Sequence, residues 1–153
     1  MSFNFKTQLK AGQLGEVLYF NAHPDLTRTD GMAADFIRSD GKGIELKTDF
    51  YSIESTPNFF LERWSVKEQE KPGGVWQSAS KGIDYFAYFF VPSLVVYTFP
   101  VDKLLERMKE LEPKLAPFPI KNSSYTTVGY RVNRDLVSDL ATITKLKVVV
   151  DTI

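Results

Sequence analysis

The sequence lacks cysteine altogether and contains a single histidine, His23. The absence of thiols excludes disulfides, thiolate zinc sites and cysteine nucleophiles. One histidine excludes a histidine-rich metal site and argues against a Ser-His-Asp triad. Sites built only from oxygen ligands are left open, because carboxylates and carbonyls are sufficient to bind a hard cation such as Mg²⁺.

Net charge and long apolar runs are also missing. The 19 basic residues balance the 19 acidic ones, so any nucleic-acid partner must be held by a local patch rather than by a global field. The most apolar run, YFAYFFVPSLVVYTF, is interrupted by Pro92 and Ser93 and is too short to cross a bilayer. The first residues, MSFNFKTQLKAG, lack the pattern of a secretory signal. We therefore expect a soluble, cytoplasmic protein without a membrane partner.

Apolar and aromatic residues are plentiful. They make up 43% and 14% of the 153 residues, which is enough for one domain spanning 1–153 with a buried core. Apolar residues at three-to-four spacing predict a helix over 5–20, which Pro24 ends. Strands are predicted over 33–38, 43–50 and 58–66, the first two joined by the short loop SDGKG.

The second half alternates in the same way. Apolar residues from Trp76 to Phe90 predict a second helix after the loop EKPGG, and SLVVYTFP predicts a buried strand. VDKLLERMKELEP predicts a charged helix, and 114–123 a loop. SYTTVGYRV and KLKVVVDTI are expected to be strands around a short helix, NRDLVSDLA. The order α-β-β-β-α-β-α, followed by a small β-rich tail, indicates a mixed α/β fold.

The predicted hairpin around SDGKG carries two acids and a lysine. Glu45 and Lys47 share a face of their strand, because side chains alternate. With an odd-length connection, 39–43 or 38–42, Asp35 lies opposite Lys47 or Glu45 and joins that face. An even-length connection would send Asp35 to the other side. An exposed cross-strand ion pair is the alternative, with a contribution below about 1 kcal/mol.

Two carboxylates and an ammonium in such a cluster suit hydrolysis of a phosphodiester assisted by Mg²⁺ or Mn²⁺. Magnesium prefers one or two carboxylates together with waters and phosphate oxygens. It polarises the phosphoryl group and acidifies a bound water, and a lysine offsets developing negative charge.

The string Asp35, nine residues, then Glu45-Leu46-Lys47 resembles the signature of the PD-(D/E)XK nuclease superfamily. The resemblance implies a restriction-endonuclease-like fold, a mixed central sheet in an α-β-β-β-α-β core over about 5–100, with 101–153 as a C-terminal extension. It implies a metal held by Asp35, Glu45 and the backbone carbonyl of Leu46, with Lys47 serving the attacking water. Gly15-Glu16 resembles the first-helix motif of phage enzymes and Holliday-junction resolvases, which makes Glu16 a further catalytic and metal-binding residue.

Asp25 is the rival for the role of Asp35. The superfamily has proline before this aspartate, whereas Ala34 precedes Asp35 and a Pro-Asp pair occurs at Pro24-Asp25. We prefer Asp35, because its predicted strand can pair with the strand of Glu45. Glu62 is predicted to be either a further metal ligand or an ion-pair partner.

Five residues are expected to contact DNA, in loops and near the start of the second helix: Lys42, Lys67, Lys71, Gln77 and Lys81. For Gln77 and Lys81, the two near the helix start, a solvated helix face is the alternative. Such contacts position a nucleic acid without reading its sequence. We therefore expect a Mg²⁺-dependent endodeoxyribonuclease of phage or resolvase type, directed by DNA structure or backbone. Cutting both strands would need a homodimer or two encounters. The competing hypothesis is a non-catalytic nucleic-acid-binding or assembly module that retains the fold.

Overall fold

The computed structural model describes residues 5–29 and 34–147. Its three helices are α1 (Phe5–Ala22), α2 (Gly74–Ser80) and α3 (Val101–Leu111). Its strands are β1 (Thr27–Arg28), β2 (Phe36–Ile37), β3 (Gly43–Asp49), β4 (Asn58–Val66), β5 (Lys71–Pro72), β6 (Tyr85–Phe90), β7 (Val95–Pro100), β8 (Phe118–Lys121), β9 (Thr126–Asn133) and β10 (Thr142–Lys145). The fold is mixed α/β, as the sequence predicts.

The larger sheet has six strands in the order β1-β2-β3-β6-β7-β10. Strands β3 and β6 run parallel, and the other neighbours are antiparallel. A parallel pair needs a long crossover, and here the crossover contains β4, β5 and α2. Residues of β4 and α2 therefore lie between two strands, β3 and β6, that are neighbours in the larger sheet.

The smaller sheet is antiparallel, in the order β5-β4-β9-β8. It packs against one face of the larger sheet through a buried aromatic cluster centred on Phe59, which is 0% exposed. The Phe59 ring lies 4.9 Å from the rings of Tyr88 and Tyr97, centroid to centroid. We call this side of the larger sheet the Glu45 face, because Glu45 is in register with Phe86 of the same cluster.

Helix α1 covers the opposite face. Tyr19 packs there with Phe36, Ile44 and Phe89 in a second apolar cluster. A close approach of α1 to β3 depends on Gly15, since a Cβ atom at that position would come 2.4 Å from Cγ2 of Thr48. The two faces of the larger sheet are therefore both buried.

Several predicted elements differ from the structure. The second helix ends at Ser80 rather than Phe90, and Tyr85–Phe90 is a strand. A continuous apolar run is compatible with a buried helix or a buried strand. Because both faces of β6 are buried, its sequence lacks the apolar-polar alternation that marks a half-exposed strand. The predicted loop over 114–123 contains β8, and the short helix of the tail is two 3₁₀ turns, Arg134–Leu136 and Ser138–Leu140.

Other elements agree closely. The first helix, the charged helix and the strand before it are confirmed as α1, α3 and β7. The 58–66 strand forms as β4, but its predicted place as third strand of the central sheet is wrong, because β4 pairs with β5 and β9 in the smaller sheet. The last predicted strand falls largely on 148–153, outside the described residues. Within the described ranges, no helix is long and apolar enough to cross a membrane.

Candidate metal centre and active site

The register of β2 and β3 sets which side chains meet. Phe36 pairs with Ile44 and Ile37 with Gly43, and the amide of Arg38 donates to the carbonyl of Lys42 at 2.9 Å. The connection is therefore 38–42, which has odd length, and the same register continued by one residue sets Asp35 beside Glu45. This confirms the odd-length connection on which the predicted cluster of Asp35, Glu45 and Lys47 depends.

Asp35 is held by the backbone of the neighbouring strand. Its Oδ2 accepts a hydrogen bond from the amide of Leu46 at 2.8 Å. Asp35 lies one residue before β2, and its own amide donates to the carbonyl of Ile44 in β3 at 3.0 Å. The N–H and C=O of one residue point the same way in a strand, so the Leu46 carbonyl faces the same edge. Asp35 and this carbonyl are thereby neighbours, and we call Asp35, Glu45 and the Leu46 carbonyl the candidate metal centre.

Glu45 is the most perturbed acid of this group. Burial raises its pKa, a hydrogen bond from Ser78 lowers it, and the negative charge of Asp35 raises it again. The donor is the Oγ of Ser78, which bonds Oε2 of Glu45 and is fully buried. Since two neighbouring carboxylates repel each other, they favour binding either a proton or a cation.

Lys47 lies beside Glu62 rather than in isolation. Its Nζ is 3.8 Å from Oε1 of Glu62, and both side chains are about one-third exposed, at 38% and 31%. Glu45, Lys47, Glu62 and Gln77 line a small cavity of ≈ 100 Å³. Of the two roles predicted for Glu62, the structure shows the ion pair, with Lys47 as the partner. The charge of Glu62 also raises the pKa of Glu45.

Two glycines allow α2 to approach Glu62. A Cβ atom at Gly73 would lie 2.9 Å from Cβ of Glu62, and one at Gly74 would lie 2.8 Å from its carbonyl oxygen. Gly74 also has a positive φ of 49°, a conformation that favours glycine. This close packing of α2 on β4 brings Ser78 and Gln77 to the Glu45 face.

The predicted DNA-contacting residues are spread over the surface. Gln77 lines the small cavity, and Lys81 follows the last residue of α2, where its charge lowers the pKa of Glu45. The prediction placed Lys81 near the start of this helix, which is wrong because α2 is only one and a half to two turns long. Lys42 lies in the hairpin connection, and Lys67 and Lys71 flank the turn after β4; all three are exposed.

Glu16 and Asp25 have other surroundings. Glu16 Oε2 accepts a hydrogen bond from Nη2 of Arg28 at 2.9 Å, in a half-exposed ion pair. Asp25 is exposed and lines a cavity with Tyr19 and Ile44. Ile44 precedes Glu45 and so points to the α1 side of the sheet. The structure thus places Asp25 on the face opposite Glu45.

Sequence reasoning missed Ser78 and the partner of Asp49. The Tyr88 hydroxyl donates to Oδ2 of Asp49 at 2.5 Å and accepts from the amide of Phe60 at 3.1 Å. Burial, together with this hydrogen bond, raises the pKa of Tyr88. Asp49 is therefore tied into the contact between the two sheets. The one sign of Ser78 in the sequence is its helical spacing from Val75, three residues earlier, which puts the two side chains on the same buried face of α2.

The donor set fits a magnesium-type cation. Asp35 and Glu45 supply two carboxylates, one oxygen of each is oriented by a protein hydrogen bond, and a carbonyl lies alongside; Mg²⁺ commonly takes its remaining ligands from water and phosphate. Across residues 5–29 and 34–147, no three acidic or histidine side chains converge as a metal-holding group. The centre therefore has two carboxylates, and Glu16 is not brought into a group of three with them.

Comparison with known proteins does not assign the chain to a family. No protein-family model matches the chain, and no curated protein matches it significantly.

Proposed function

We propose that this chain is a Mg²⁺- or Mn²⁺-dependent endonuclease that hydrolyses phosphodiester bonds of DNA. The observation that carries the proposal is that the register of β2 and β3 brings the Asp35 carboxylate onto the amide of Leu46 at 2.8 Å, between Glu45 and Lys47 of β3. The raised pKa of Glu45 supports it, because perturbed acids cluster at functional sites.

The order of elements in the larger sheet supports a restriction-endonuclease-like core. The resemblance implies helix, three strands, helix, strand. Along the chain, α1 is followed by β1, β2 and β3 of the larger sheet, and α2 is followed by β6 of the same sheet. Strands β4 and β5 are then an insertion that leaves this sheet. The sequence predicts 33–38, 43–50 and 58–66 as the three strands. In the larger sheet the three are instead β1, β2 and β3, and the 58–66 strand, β4, belongs to the smaller sheet.

In this proposal Asp35, Glu45 and the Leu46 carbonyl hold the cation. When bound, the cation polarises the phosphoryl group and lowers the pKa of a coordinated water. Ser78 fixes the rotamer of Glu45 through its hydrogen bond. The amide of Leu46 does the same for Asp35. Both carboxylates are therefore oriented before a ligand arrives, which reduces the cost of assembling the centre.

Lys47 is placed to serve the attacking water. Its ammonium lies in the small cavity that also contains Glu45 and Gln77. Glu62 holds it from the other side, with Nζ of Lys47 3.8 Å from Oε1 of Glu62. In this position Lys47 orients the nucleophile and offsets negative charge on the phosphorane-like transition state.

DNA binding in this proposal is a backbone interaction. Lys81 and Gln77 lie nearest the candidate metal centre, and Lys42, Lys67 and Lys71 offer phosphate contacts farther out. Because the chain carries no net charge, affinity has to come from these local cations and should fall steeply with salt. Two copies of the chain, or two encounters, would cut both strands.

A non-catalytic nucleic-acid-binding module is the second candidate. It is favoured by the pairing of Lys47 with Glu62 and by the two-carboxylate composition of the centre within the described chain. The intact set of Asp35, Glu45 and Lys47 favours the enzyme, since phosphate binding alone has no need of two acids that repel a polyanion.

Nicking of supercoiled plasmid in Mg²⁺ or Mn²⁺ tests the proposal. Asp35→Asn and Glu45→Gln should each reduce the rate at least about 100-fold, more than the 10–100-fold typical of an outer-shell partner. Lys47→Ala should reduce the rate by orders of magnitude with DNA affinity largely kept. Asp25→Asn is the matched control, an aspartate on the opposite face, and should nick normally.

Equal nicking by wild type and either acid variant would contradict the proposal. Loss of nicking in Asp25→Asn alone would transfer the metal role to Asp25. A wild type that binds DNA and nicks none of plasmid, single-stranded or branched DNA would instead support the binding module.

A further inference from the structure

A second, larger cavity opens directly beside the candidate active site. Its volume is ≈ 520 Å³, within the range of small-ligand sites. It shares Lys47 and Phe60 with the small cavity, so the two cavities are adjacent. We call it the aromatic groove, lined chiefly by Lys47, Phe50, Tyr51, Phe60, Phe118 and Arg131.

The walls of this groove are exposed aromatic rings. Tyr51 is 69% exposed and Phe50 44%, both on the segment that follows β3. On the other wall, the rings of Phe60 and Phe118 meet edge to face with centroids 6.2 Å apart. Phe60 lies flat against β9 only because Gly129 has no side chain, since a Cβ atom there would come 2.5 Å from Cζ of Phe60.

Exposed rings gathered in one concave surface indicate a ligand. Scattered surface apolar residues are ordinary, whereas contiguous patches with a polar rim mark binding sites. Here the rings come from three separate segments: the end of β3, β4 and β8. Their convergence is therefore a property of the fold rather than of one local sequence.

Cations are placed for an anionic ligand. The Arg131 guanidinium lies 4.5 Å from the centroid of the Phe118 ring, and Lys47 stands where the groove joins the small cavity. Asp49 is the one acid of the lining, and its carboxylate accepts hydrogen bonds from Tyr88 at 2.5 Å and from the amide of Tyr51 at 2.9 Å. The lining thus combines π-faces with positive charge, the pattern of single-strand nucleic-acid sites.

We propose that the aromatic groove binds unpaired bases of single-stranded DNA next to the phosphate that is cut. This inference rests on the proposed function, because it takes the scissile phosphate to lie beside Lys47. Bases in a continuous duplex hide their π-faces, so they cannot stack on Tyr51 or Phe118. The substrate is accordingly single-stranded, or a branched or frayed DNA with unpaired nucleotides at the cut.

A pair of oligonucleotides separates stacking from charge. The full chain is titrated, with Ca²⁺ replacing Mg²⁺ to suppress cleavage, into a labelled ten-nucleotide strand and a matched strand whose sugars lack bases. Fluorescence anisotropy gives both dissociation constants. Wild type should prefer the base-bearing strand by about tenfold, the ratio that one stacked base supplies.

Tyr51→Ala and Phe118→Ala should each bring this ratio towards one, with affinity for the abasic strand unchanged. Arg131→Gln should weaken both strands, because its charge serves the phosphates as well. Tyr125→Ala is the matched control, an aromatic of 40% exposure outside the groove, and should keep the tenfold ratio. Tyr51 lies on an exposed segment, so its removal leaves the fold intact even if a change in β8 does not.

A wild-type ratio near one, or an unchanged ratio in the Tyr51→Ala/Phe118→Ala double variant, would overturn the inference. The plasmid and branched-DNA cleavage assays are read separately. Cleavage without a base preference contradicts the groove assignment alone. Base preference without any cleavage supports the groove and contradicts the endonuclease.

Discussion

At Glu45, the negative charge that the proposed metal binding needs lowers the stability of the fold. Its carboxylate is half-buried, next to Asp35 and within reach of Glu62, and burial is the largest cause of its raised pKa. The folded protein therefore binds a proton at Glu45 more tightly than the unfolded chain does. In the unfolded chain the pKa of Glu45 is near its ordinary value of 4.5. The stability that Glu45 contributes is fully present below that pH and is lost as the pH rises through its higher pKa in the folded protein.

Replacing this acid should stabilise the protein at neutral pH. Glu45→Gln keeps an oxygen that can accept from Ser78 but carries no charge, so the repulsion from Asp35 disappears. Without divalent metal, we expect a higher melting temperature at pH 7.5, by about 2–4 °C for each kcal/mol relieved. The difference should vanish towards pH 4. Thermal unfolding followed across this range measures it.

Glu54→Gln is the control for the loss of one negative charge, because Glu54 is exposed and outside the candidate metal centre. It should leave the melting temperature nearly unchanged at both pH values. A Glu45→Gln protein that melts below wild type at pH 7.5 would mean that the charged Glu45 makes a net favourable interaction. That result would contradict the destabilising burial and repulsion assigned to its carboxylate.

The three charged residues of the hairpin could be predicted from the sequence because strand alternation and loop parity are local rules. Asp35 and Glu45 needed only an odd connection, which 38–42 provides. Ser78 could not be found in this way. Its contact with Glu45 spans 33 positions and depends on how α2 packs, which no local pattern specifies.

Helix α2 is the element that completes the candidate site. Glycines with positive φ lie at both of its ends: Gly74, its first residue, with φ 49°, and Gly82, two residues after its last, with φ 70°. Their surroundings differ. A side chain at Gly74 would overlap the backbone of Glu62, whereas a side chain at Gly82 would meet nothing within 4 Å.

This difference makes a paired test of how α2 docks. Gly82→Ala should cost about 1–2 kcal/mol, the ordinary penalty of a left-handed conformation. Gly74→Ala should cost about 1–3 kcal/mol more, because overlap with packed backbone adds to the same penalty. Urea unfolding with equal slopes gives both free energies.

Equal losses in the two variants would show that α2 does not approach β4 as closely as described. A loss confined to Gly74→Ala, accompanied by weaker nicking, would place the packing of α2 on Glu62 in the path to activity.

Elements with a clear period or clear ends could be predicted well. Strand β4 begins and ends at the predicted residues, Asn58 and Val66, and α3 has a strong charged-apolar pattern. Strand β6 could not be told from a helix, because its aromatic run is buried on both sides. The two-residue strand β1 carries too little pattern to be seen at all.

At the scale of the whole molecule, residues far apart in the chain meet at one place. Asp35 comes from the residue before β2, Glu45 from β3, Glu62 from β4 and Ser78 from α2. The aromatic groove adds residues from β8 and β9. The α/β class could be predicted from the order of elements. The second sheet could not, because it pairs β4 with β9, strands that more than 50 residues separate in the printed sequence.

The most direct test of the central claim is the position of Mn²⁺ in crystals soaked with the ion, located by its anomalous scattering. We predict one strong peak bound by carboxylate oxygens of Asp35 and Glu45 and by the carbonyl of Leu46, at about 2.0–2.2 Å. Glu45→Gln crystals should lose the peak. A peak at Asp25, or the absence of any peak at Asp35 and Glu45 in wild-type crystals that hold Mn²⁺ elsewhere, would contradict the account.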